Sequence, residues 1–464
     1  MSFFRNILMN LPEVVKPTEK KLPFKEKVKW TILVLVIFFI LGLIPLFGLG
    51  DNALQRFEYL SIILGAKFGS LISLGIGPIV TASIILQLLV GSGILNMDLA
   101  LPEGKRTFQG LQKLLAIFFI VFEAGIYVFM GGLAPDPNLA GTAIYFQVQL
   151  ILIFQLFLGG MMILLMDEVI SKWGFGSGVS LFIAAGVSEE LFIRAFSWLP
   201  SPTNPNIATG AIPALFQSLA AGDPLTAGLM LAAVVATVLV FVIAVYGQAM
   251  KVEIPLSFGR VRGYGVRWPL AFMYTSVIPV ILVAALMANI QLWARLLQNW
   301  GRPFLGTFAG NSPVTGLVSW ISSPDIIGKI IKGSLTWPDI WHSAVYVGFM
   351  LVGCVIFSIF WVQTAGMDAK SQAKNIMSSG LQIPGFRRDE RVLQRLLNRY
   401  IWPLTIMGAL LIGFLAAIAD LSGALSRGTG ILLAVMIIYK LYEEIAKQHM
   451  YDMYPVMRKF MGGD

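Results

Sequence analysis

Long apolar stretches recur along almost the whole chain and alternate with shorter polar segments. Ten of them run for roughly 20 residues or more, the length that an α-helix needs to cross the hydrocarbon core of a bilayer. The pattern therefore predicts an all-α polytopic membrane protein with ten transmembrane helices. The predicted spans are residues 28–49, 75–96, 108–130, 142–166, 176–198, 226–248, 269–294, 340–363, 401–419 and 428–447.

The second span, residues 75–96, is built unlike a simple membrane anchor. Gly75, Gly77 and Pro78 break its first turn, and Thr81 then follows among branched apolar residues. A helix surrounded only by lipid gains nothing from glycine and proline, whereas small and polar residues favour contact with other helices. We therefore expect this span to face protein or water.

Residues 51–70, just before that span, have a helical pattern but are too polar to cross the membrane. Asp51 is a suitable N-cap, and apolar residues follow at helical spacing. Arg56 and Lys67 would fall inside hydrocarbon, at a cost of about 2.5 kcal/mol or more for a central Arg or Lys. The segment is therefore predicted to form a short re-entrant or interfacial helix.

The composition is typical of a membrane protein without a catalytic centre. Of the 464 residues, 57% are hydrophobic and only 13% are charged. The single cysteine, Cys354, cannot form a disulfide framework, and the chain has only two histidines. The sequence contains no phosphate-binding P-loop, HExxH or GxSxG motif. We expect no cofactor, no metal and no enzymatic activity, so an intramembrane enzyme is the least favoured class.

The distribution of Lys and Arg predicts the orientation. With ten spans, the basic N-tail, the C-tail and the loops at residues 250–268 and 365–400 all fall on one side, so both termini are predicted to be cytoplasmic in a cell membrane. Both loops carry more arginine than topology requires. Such loops suit a polyanionic partner such as ribosomal RNA.

A proline-rich segment, residues 199–225, follows the fifth span and divides the chain into five plus five spans. It is either a plain external loop or a hinge between two halves that form an inverted repeat. The predicted organisation is a cytoplasmic N-tail with an amphipathic interfacial helix at residues 1–27, an N-terminal half at 28–198, the external connection at 199–225, a C-terminal half at 226–447 and a cytoplasmic C-tail at 448–464.

Few ionisable residues fall inside the predicted spans. Glu123 lies in the middle of the third span, where it must face protein or water, and Asn289 is a second buried polar candidate. The other acids, including Asp167 and Asp420, lie towards predicted span ends, which leaves a proton relay weakly supported. A secondary transporter with a five-plus-five inverted repeat is the alternative function.

Glycine pairs open two further spans, at Gly176 and Gly178 and at Gly428 and Gly430. Small residues allow helices to pack closely, which is one interpretation. The other is that these spans converge on a central path, where branched apolar side chains form a constriction that excludes water and ions.

Five stretches of the chain together form a specific pattern: GIGPIVTASIILQLLVGSG, the preceding DNALQRFEYLSIILGAKFGS, GSGVSLFIAAGVS, YTSVIPVIL and GTGILL. They closely resemble the SecY family, the pore subunits of protein-translocation channels. The turn LPEGKR and the segment GMDAKSQAKN resemble the archaeal and eukaryotic branch of that family.

The resemblance implies a clamshell of two pseudo-symmetric five-helix halves, hinged at residues 199–225. It also implies a lateral gate lined by the second and seventh spans, whose polar cluster comprises Thr81, Glu123 and Asn289. Glu123 then becomes a hydrogen-bonding gate residue and not a proton relay. An apolar ring is implied at the waist of the pore, formed by Ile76, Val80, Val179, Ile183, Ile278, Ile281 and Leu433.

The resemblance further implies a channel that translocates secretory polypeptides and releases transmembrane segments laterally into lipid. Residues 51–70 would be a plug that closes the external funnel, represented by Asp51, Leu54, Phe57, Leu60 and Leu64. Ribosome docking would use Arg260, Arg262, Arg387 and Arg388. The implied partners are SecE/gamma-type and beta-type small subunits, the ribosome, signal sequences, nascent polypeptides and membrane lipid.

Overall fold

A computed structural model describes most of the 464-residue chain. The described residues are 12–18, 22–50, 69–91, 94–95, 97, 102–139, 141–200, 207–258, 265–275, 278–309, 312–378, 381–382, 389–425 and 428–453. Three predictions concern residues that lie outside these ranges, apart from their flanks. They are the amphipathic N-terminal helix, the plug and the four docking arginines.

The described residues form fourteen helices and five strands. The helices are α1 (Phe24–Leu43), α2 (Gly77–Gly91), α3 (Pro102–Phe129), α4 (Ala143–Trp173), α5 (Gly178–Phe196), α6 (Ala211–Ala221), α7 (Pro224–Ala249), α8 (Ile278–Asn299), α9 (Gly316–Trp320), α10 (Ile326–Ile331), α11 (Trp337–Thr364), α12 (Ala369–Ser378), α13 (Glu390–Leu421) and α14 (Gly428–Met453). The strands are β1 (Lys251–Phe258), β2 (Gly265–Ala271), β3 (Phe308–Ala309), β4 (Ser312–Pro313) and β5 (Leu381–Gln382).

Each of the ten predicted spans corresponds to one long helix of the described chain. Six of these helices, α3, α4, α7, α8, α11 and α13, are long and apolar enough by themselves to cross a membrane. The other four are less apolar or shorter. Helix α2 has only 15 residues, and α1, α5 and α14 include charged residues such as Lys27, Glu190 and Glu443.

Two span boundaries were predicted wrongly. Helix α8 begins at Ile278 and not at residue 269, because Pro269 belongs to strand β2 and pairs with Glu253 of β1. Helix α13 begins at Glu390, so the end of the loop predicted at 365–400 is helical. The Asp389 carboxylate caps that earlier start by accepting the backbone N–H of Arg391 at 2.9 Å.

The basic loop at 250–268 is a β-hairpin, an addition to the all-α prediction. Strands β1 and β2 pair antiparallel from Lys251 opposite Ala271 to Ser257 opposite Gly265. Strand β5 extends the sheet, because Ser257 also pairs with Gln382. The sheet therefore joins two loops that are more than a hundred residues apart along the chain.

The long helices form two groups of five that meet along two seams. Helices α1 to α4 pack mainly with one another, as do α7, α8, α11, α13 and α14, whereas α5 packs most against α14 of the other group. On one side α5 packs against α14, and on the other α2 packs against α8 and α11. One cluster of buried apolar side chains runs through both groups, so the hydrophobic core lies where the two halves touch.

The external connection at 199–225 contains a helix that the sequence analysis did not predict. Helix α6 packs against both α5 and α7 and ends at Gly222, which has a left-handed φ of 71°. The Asp223 side chain then caps α7 by accepting the backbone N–H groups of Leu225 and Thr226. The connection is therefore folded onto the helices at the α5 side of the molecule.

Candidate pore and lateral gate

The seven residues predicted for the pore ring all lie in, or pack against, the large apolar core that runs through both halves. They belong to α2 and the turn before it, α5, α8 and α14, so both halves contribute. Ile76, Val80, Ile183, Ile281 and Leu433 are buried, and Val179 and Ile278 are partly buried and pack against the same cluster. The structure thus brings together branched apolar side chains from positions more than 350 residues apart.

The broken first turn of the second span places two of these side chains. Gly75 has a φ of 56°, a conformation that favours glycine, and α2 starts only at Gly77. Ile76 lies between the two glycines, and Val80 follows one turn later. Because of this glycine conformation, the chain makes a turn before α2 instead of continuing as one regular helix.

A cavity of about 470 Å³ opens at one side of the ring. Four of the seven predicted ring residues, Val80, Val179, Ile278 and Ile281, line it. Its lining also includes the charged residues Asp167, Lys440 and Glu444. Apolar residues from both halves therefore share this cavity with charged side chains.

The polar cluster predicted for the gate is assembled by hydrogen bonds. The Asn289 Nδ2 of α8 donates to Thr81 Oγ1 of α2 at 2.9 Å, and this bond joins the two halves. The Thr81 hydroxyl lies 3.3 Å from Glu123 Oε1 and 2.8 Å from the backbone oxygen of Gly77, either of which can accept its proton. Glu123 is 3% exposed and Asn289 is 8% exposed.

The gate cluster leaves some of its hydrogen-bonding capacity unused. Within the described part of the chain, Glu123 Oε2 and Asn289 Oδ1 are buried without a hydrogen-bond partner. A buried polar atom without a partner weakens the state in which it is buried. The cluster therefore stabilises the contact between α2, α3 and α8 less than a fully hydrogen-bonded cluster would.

Two further contacts of α3 border the same seam, and the sequence analysis missed both. Gln112 Nε2 donates to Ser83 Oγ of α2 at 2.6 Å. The rings of Phe122 and Trp293, on α3 and α8, lie 5.8 Å apart between centroids. Helical spacing of Gln112 and Phe122 along the span could have placed them near Glu123, but nothing in the sequence indicated their partners.

The residues on either side of the predicted plug are held together. The backbone N–H of Leu46 donates to the oxygen of Gly69 at 2.8 Å, and that of Leu71 donates to the oxygen of Ile44 at 2.9 Å. The N–H of Gly50 donates to the oxygen of Ala134 at 3.0 Å. The chain before residue 51 is therefore hydrogen-bonded both to the chain after residue 68 and to the chain just after the third span.

The two basic loops rest on a common platform. A second cluster of buried apolar residues underlies the sheet and includes Ile254, Leu270, Tyr274 and Leu397. Burial raises the pKa of the Tyr274 hydroxyl, which stays protonated and donates to the oxygen of Met367 at 2.7 Å. Strands β1 and β5 pair antiparallel, with Phe258 opposite Leu381 and Ser257 opposite Gln382, so the segments 259–264 and 383–388 start from neighbouring positions of the sheet and in opposite directions.

Comparison with known proteins identifies the family. The SecY family model matches residues 70–442. A protein translocase subunit SecY from Methanothermobacter thermautotrophicus is 44% identical over 463 residues, which are 99% of this chain and 98% of that protein.

Two solved structures are similar over 98% of this chain and 99% of theirs. One, with a TM-score of 0.81 and 41% identity, is a SecY protein whose plug domain stabilises the closed state of the translocation channel and maintains a membrane seal. The other, with a TM-score of 0.79 and 41% identity, is Sec61 in the canine ribosome–channel complex from the endoplasmic reticulum. The chain belongs to the SecY family of protein translocase subunits.

Proposed function

We propose that this SecY chain forms the pore of a protein-conducting channel and seals it with the seven ring residues. The supporting observation is that all seven belong to or pack against one core shared by both halves, and that four of them, two from each half, line one cavity. Such a ring excludes water and ions when empty, and flexible branched side chains can close around an extended polypeptide.

The seam between α2 and α8 is the proposed lateral gate. Opening it breaks the hydrogen bond between Asn289 and Thr81 and exposes apolar surface to lipid. A signal sequence or membrane segment enters the bilayer there because each central Leu or Ile contributes about −0.5 kcal/mol on the insertion scale. No covalent bond changes in this process, so elongation by the ribosome supplies the driving force.

Residues 51–70 are the proposed plug. The anchors at Leu46 with Gly69 and at Gly50 with Ala134 support this role, because they tie both ends of the segment to the described structure. A short helix held at both ends can cover the pore and can be displaced without moving the spans. The similar SecY protein whose plug domain maintains a membrane seal agrees with this proposal.

The proposed partners are a ribosome and two small subunits. Arg260 and Arg262 follow β1, and Arg387 and Arg388 follow β5, so both arginine segments start from neighbouring positions of one sheet. Arginine binds RNA phosphates without reading sequence. We also propose a SecE/gamma-type helix that clamps the halves, a peripheral beta-type subunit, and both termini on the cytoplasmic side of a cell membrane.

Cross-linking to a stalled nascent secretory chain tests the path. We would introduce single cysteines at Thr81, Val179 and Ile281 in a Cys354→Ala background, with ribosomes bound. Val238→Cys is the matched control, because Val238 on α7 is 56% exposed on the outside of the bundle. We expect signal-sequence-dependent cross-links at the first three positions and none at the control. Absence of cross-links at all three in a folded protein would contradict the channel and favour a transporter.

A further inference from the structure

Two carboxylates that play no part in the ring or the gate occupy equivalent places in the two halves. Asp167 lies near the end of α4 and Asp420 lies near the end of α13, which are the fourth and the ninth long helices. Each reaches across to the start of the helix that follows it. Those two following helices, α5 and α14, are the ones that carry Val179, Ile183 and Leu433 into the ring.

The N-terminal member of this pair caps α5. Asp167 Oδ1 accepts the backbone N–H of Val179, the second residue of α5, at 2.9 Å. The N-cap residue Ser177 makes no side-chain capping bond of its own, so Asp167 supplies the missing acceptor. Gly178 permits this approach, because a Cβ at that position would lie 2.9 Å from the same Asp167 oxygen.

The C-terminal member makes the same bond in α14. Asp420 Oδ1 accepts the backbone N–H of Thr429, the second residue of α14, at 2.7 Å. Its other oxygen accepts the hydroxyl of Thr429 and, at 2.5 Å, the hydroxyl of Tyr346. Tyr346 is fully buried, so its bond fixes the carboxylate against α11.

The two caps also have the same relation to the ring. Val179 is both the capped residue and a ring residue, and Ile183 follows it by one helical turn. Leu433 follows the capped Thr429 by one turn. Because residues four apart lie on one face of a helix, each cap holds the turn that points a ring side chain into the pore.

We infer that Asp167 and Asp420 are a matched pair of positioning residues, each of which fixes the start of one pore helix and so holds its ring side chains in place. The carboxylate accepts a hydrogen bond from a backbone N–H that has no acceptor within the helix, and its negative charge interacts favourably with the positive end of the helix dipole. Loss of either cap allows the first turn to fray, which loosens the ring from one half. This inference rests on the proposed role of the ring in sealing the channel.

Ion leak through reconstituted vesicles tests it. We expect Asp167→Ala and Asp420→Ala each to raise the leak about fivefold, the effect expected from the loss of one N-cap. Asp167→Asn and Asp420→Asn should stay within about twofold of the unmodified protein, because an amide oxygen also accepts the N–H. The matched control is Asp223→Ala, which removes the cap of α7, a helix that contributes no ring residue.

The comparison with Asp223→Ala separates positioning from general stability. If all three alanine variants lower the thermal midpoint but leak alike, the inference is overturned. If Asp420→Ala does not fold, Tyr346→Phe replaces it as the test, because it removes only one hydrogen bond to the same carboxylate. Tyr346→Phe should raise the leak about twofold. An unchanged leak would overturn the inference for that half. Translocation by the unmodified protein in the same vesicles tests the proposed function separately, so the two failures are distinguishable.

Discussion

The hydrogen bond between Asn289 and Thr81 predicts how readily the gate opens. Asn289→Ala removes the 2.9 Å hydrogen bond from Asn289 Nδ2 to Thr81 Oγ1 across the α2–α8 seam. The Thr81 proton keeps its acceptors, the Gly77 backbone oxygen and the Glu123 carboxylate. Interhelical hydrogen bonds in membranes contribute about 0.6 kcal/mol on average. Because the bond exists in the closed state, its loss shifts the closed-to-open equilibrium about threefold towards open.

The assay is the initial rate of translocation of a substrate with a weakened signal sequence. Such a substrate is limited by gate opening, so we expect Asn289→Ala and Thr81→Val each to raise the rate about threefold. Because both substitutions remove the same bond, the double variant should also give about threefold and not the product of the two effects.

A matched control separates the gate from the rest of α8. Gln298 lies on the same helix and bonds the backbone of Phe308 at 2.7 and 3.0 Å within one half. Gln298→Ala should lower thermal stability without accelerating the weak substrate. An unchanged or slower rate in Asn289→Ala, or a double variant whose effect is the product of the singles, would refute the reasoning.

Three further predictions concern the ring, the docking loops and the packing of α4. Replacing three ring residues together with glycine should raise ion conductance in vesicles, and unchanged conductance would exclude them from the seal. The three are Ile76, Val80 and Ile281. Arg262→Glu combined with Arg387→Glu should weaken ribosome binding. It should also lower the slope of log binding constant against log salt concentration by about 1 for each lost phosphate contact. Arg302→Glu, in the predicted external loop, should change neither quantity. Gly159→Ala should destabilise the protein by about 1–3 kcal/mol in thermal unfolding, because its Cβ would lie 1.8 Å from a backbone oxygen, while Gly186→Ala, with nothing within 4 Å, should not.

Local patterns in the sequence were sufficient for the spans and for the break before α2. Gly75, Gly77 and Pro78 disfavour a regular helix whatever surrounds them, so the structure starts α2 where their chemistry indicates. The meeting of Thr81 with Glu123 and Asn289 is different. Their polarity marked each of them as protein-facing, but only the resemblance to a family indicated that they belong together.

Features that depend on distant pairing were not predictable from local patterns. Leu270 and Tyr274 are apolar and made the seventh span look longer, yet they belong to the smaller buried cluster at the sheet and not to the main core between the helices. Most of the sheet is the hairpin of β1 and β2, but β5 joins it from more than a hundred residues away, which no local pattern records. Asp420 looked like a solvated span end, since its partners Thr429 and Tyr346 come close only in the folded protein.

The two seams differ in a way that explains which side opens. On the α5–α14 side, polar bonds join the halves near both ends of the helices. Lys27 Nζ donates to Gln448 Oε1 at 3.1 Å at one end, and Arg194 donates to the oxygen of Leu425 at 3.3 Å at the other. Helix α6 and the covalent connection lie on the same side. A rotation that parted α5 from α14 would break bonds at both ends and strain this connection. On the α2–α8 side the bond between Asn289 and Thr81 lies mid-helix among apolar contacts, and lipid or an apolar segment replaces such contacts at little cost. This difference supports the proposed hinge at α5 and α14 and the proposed gate between α2 and α8.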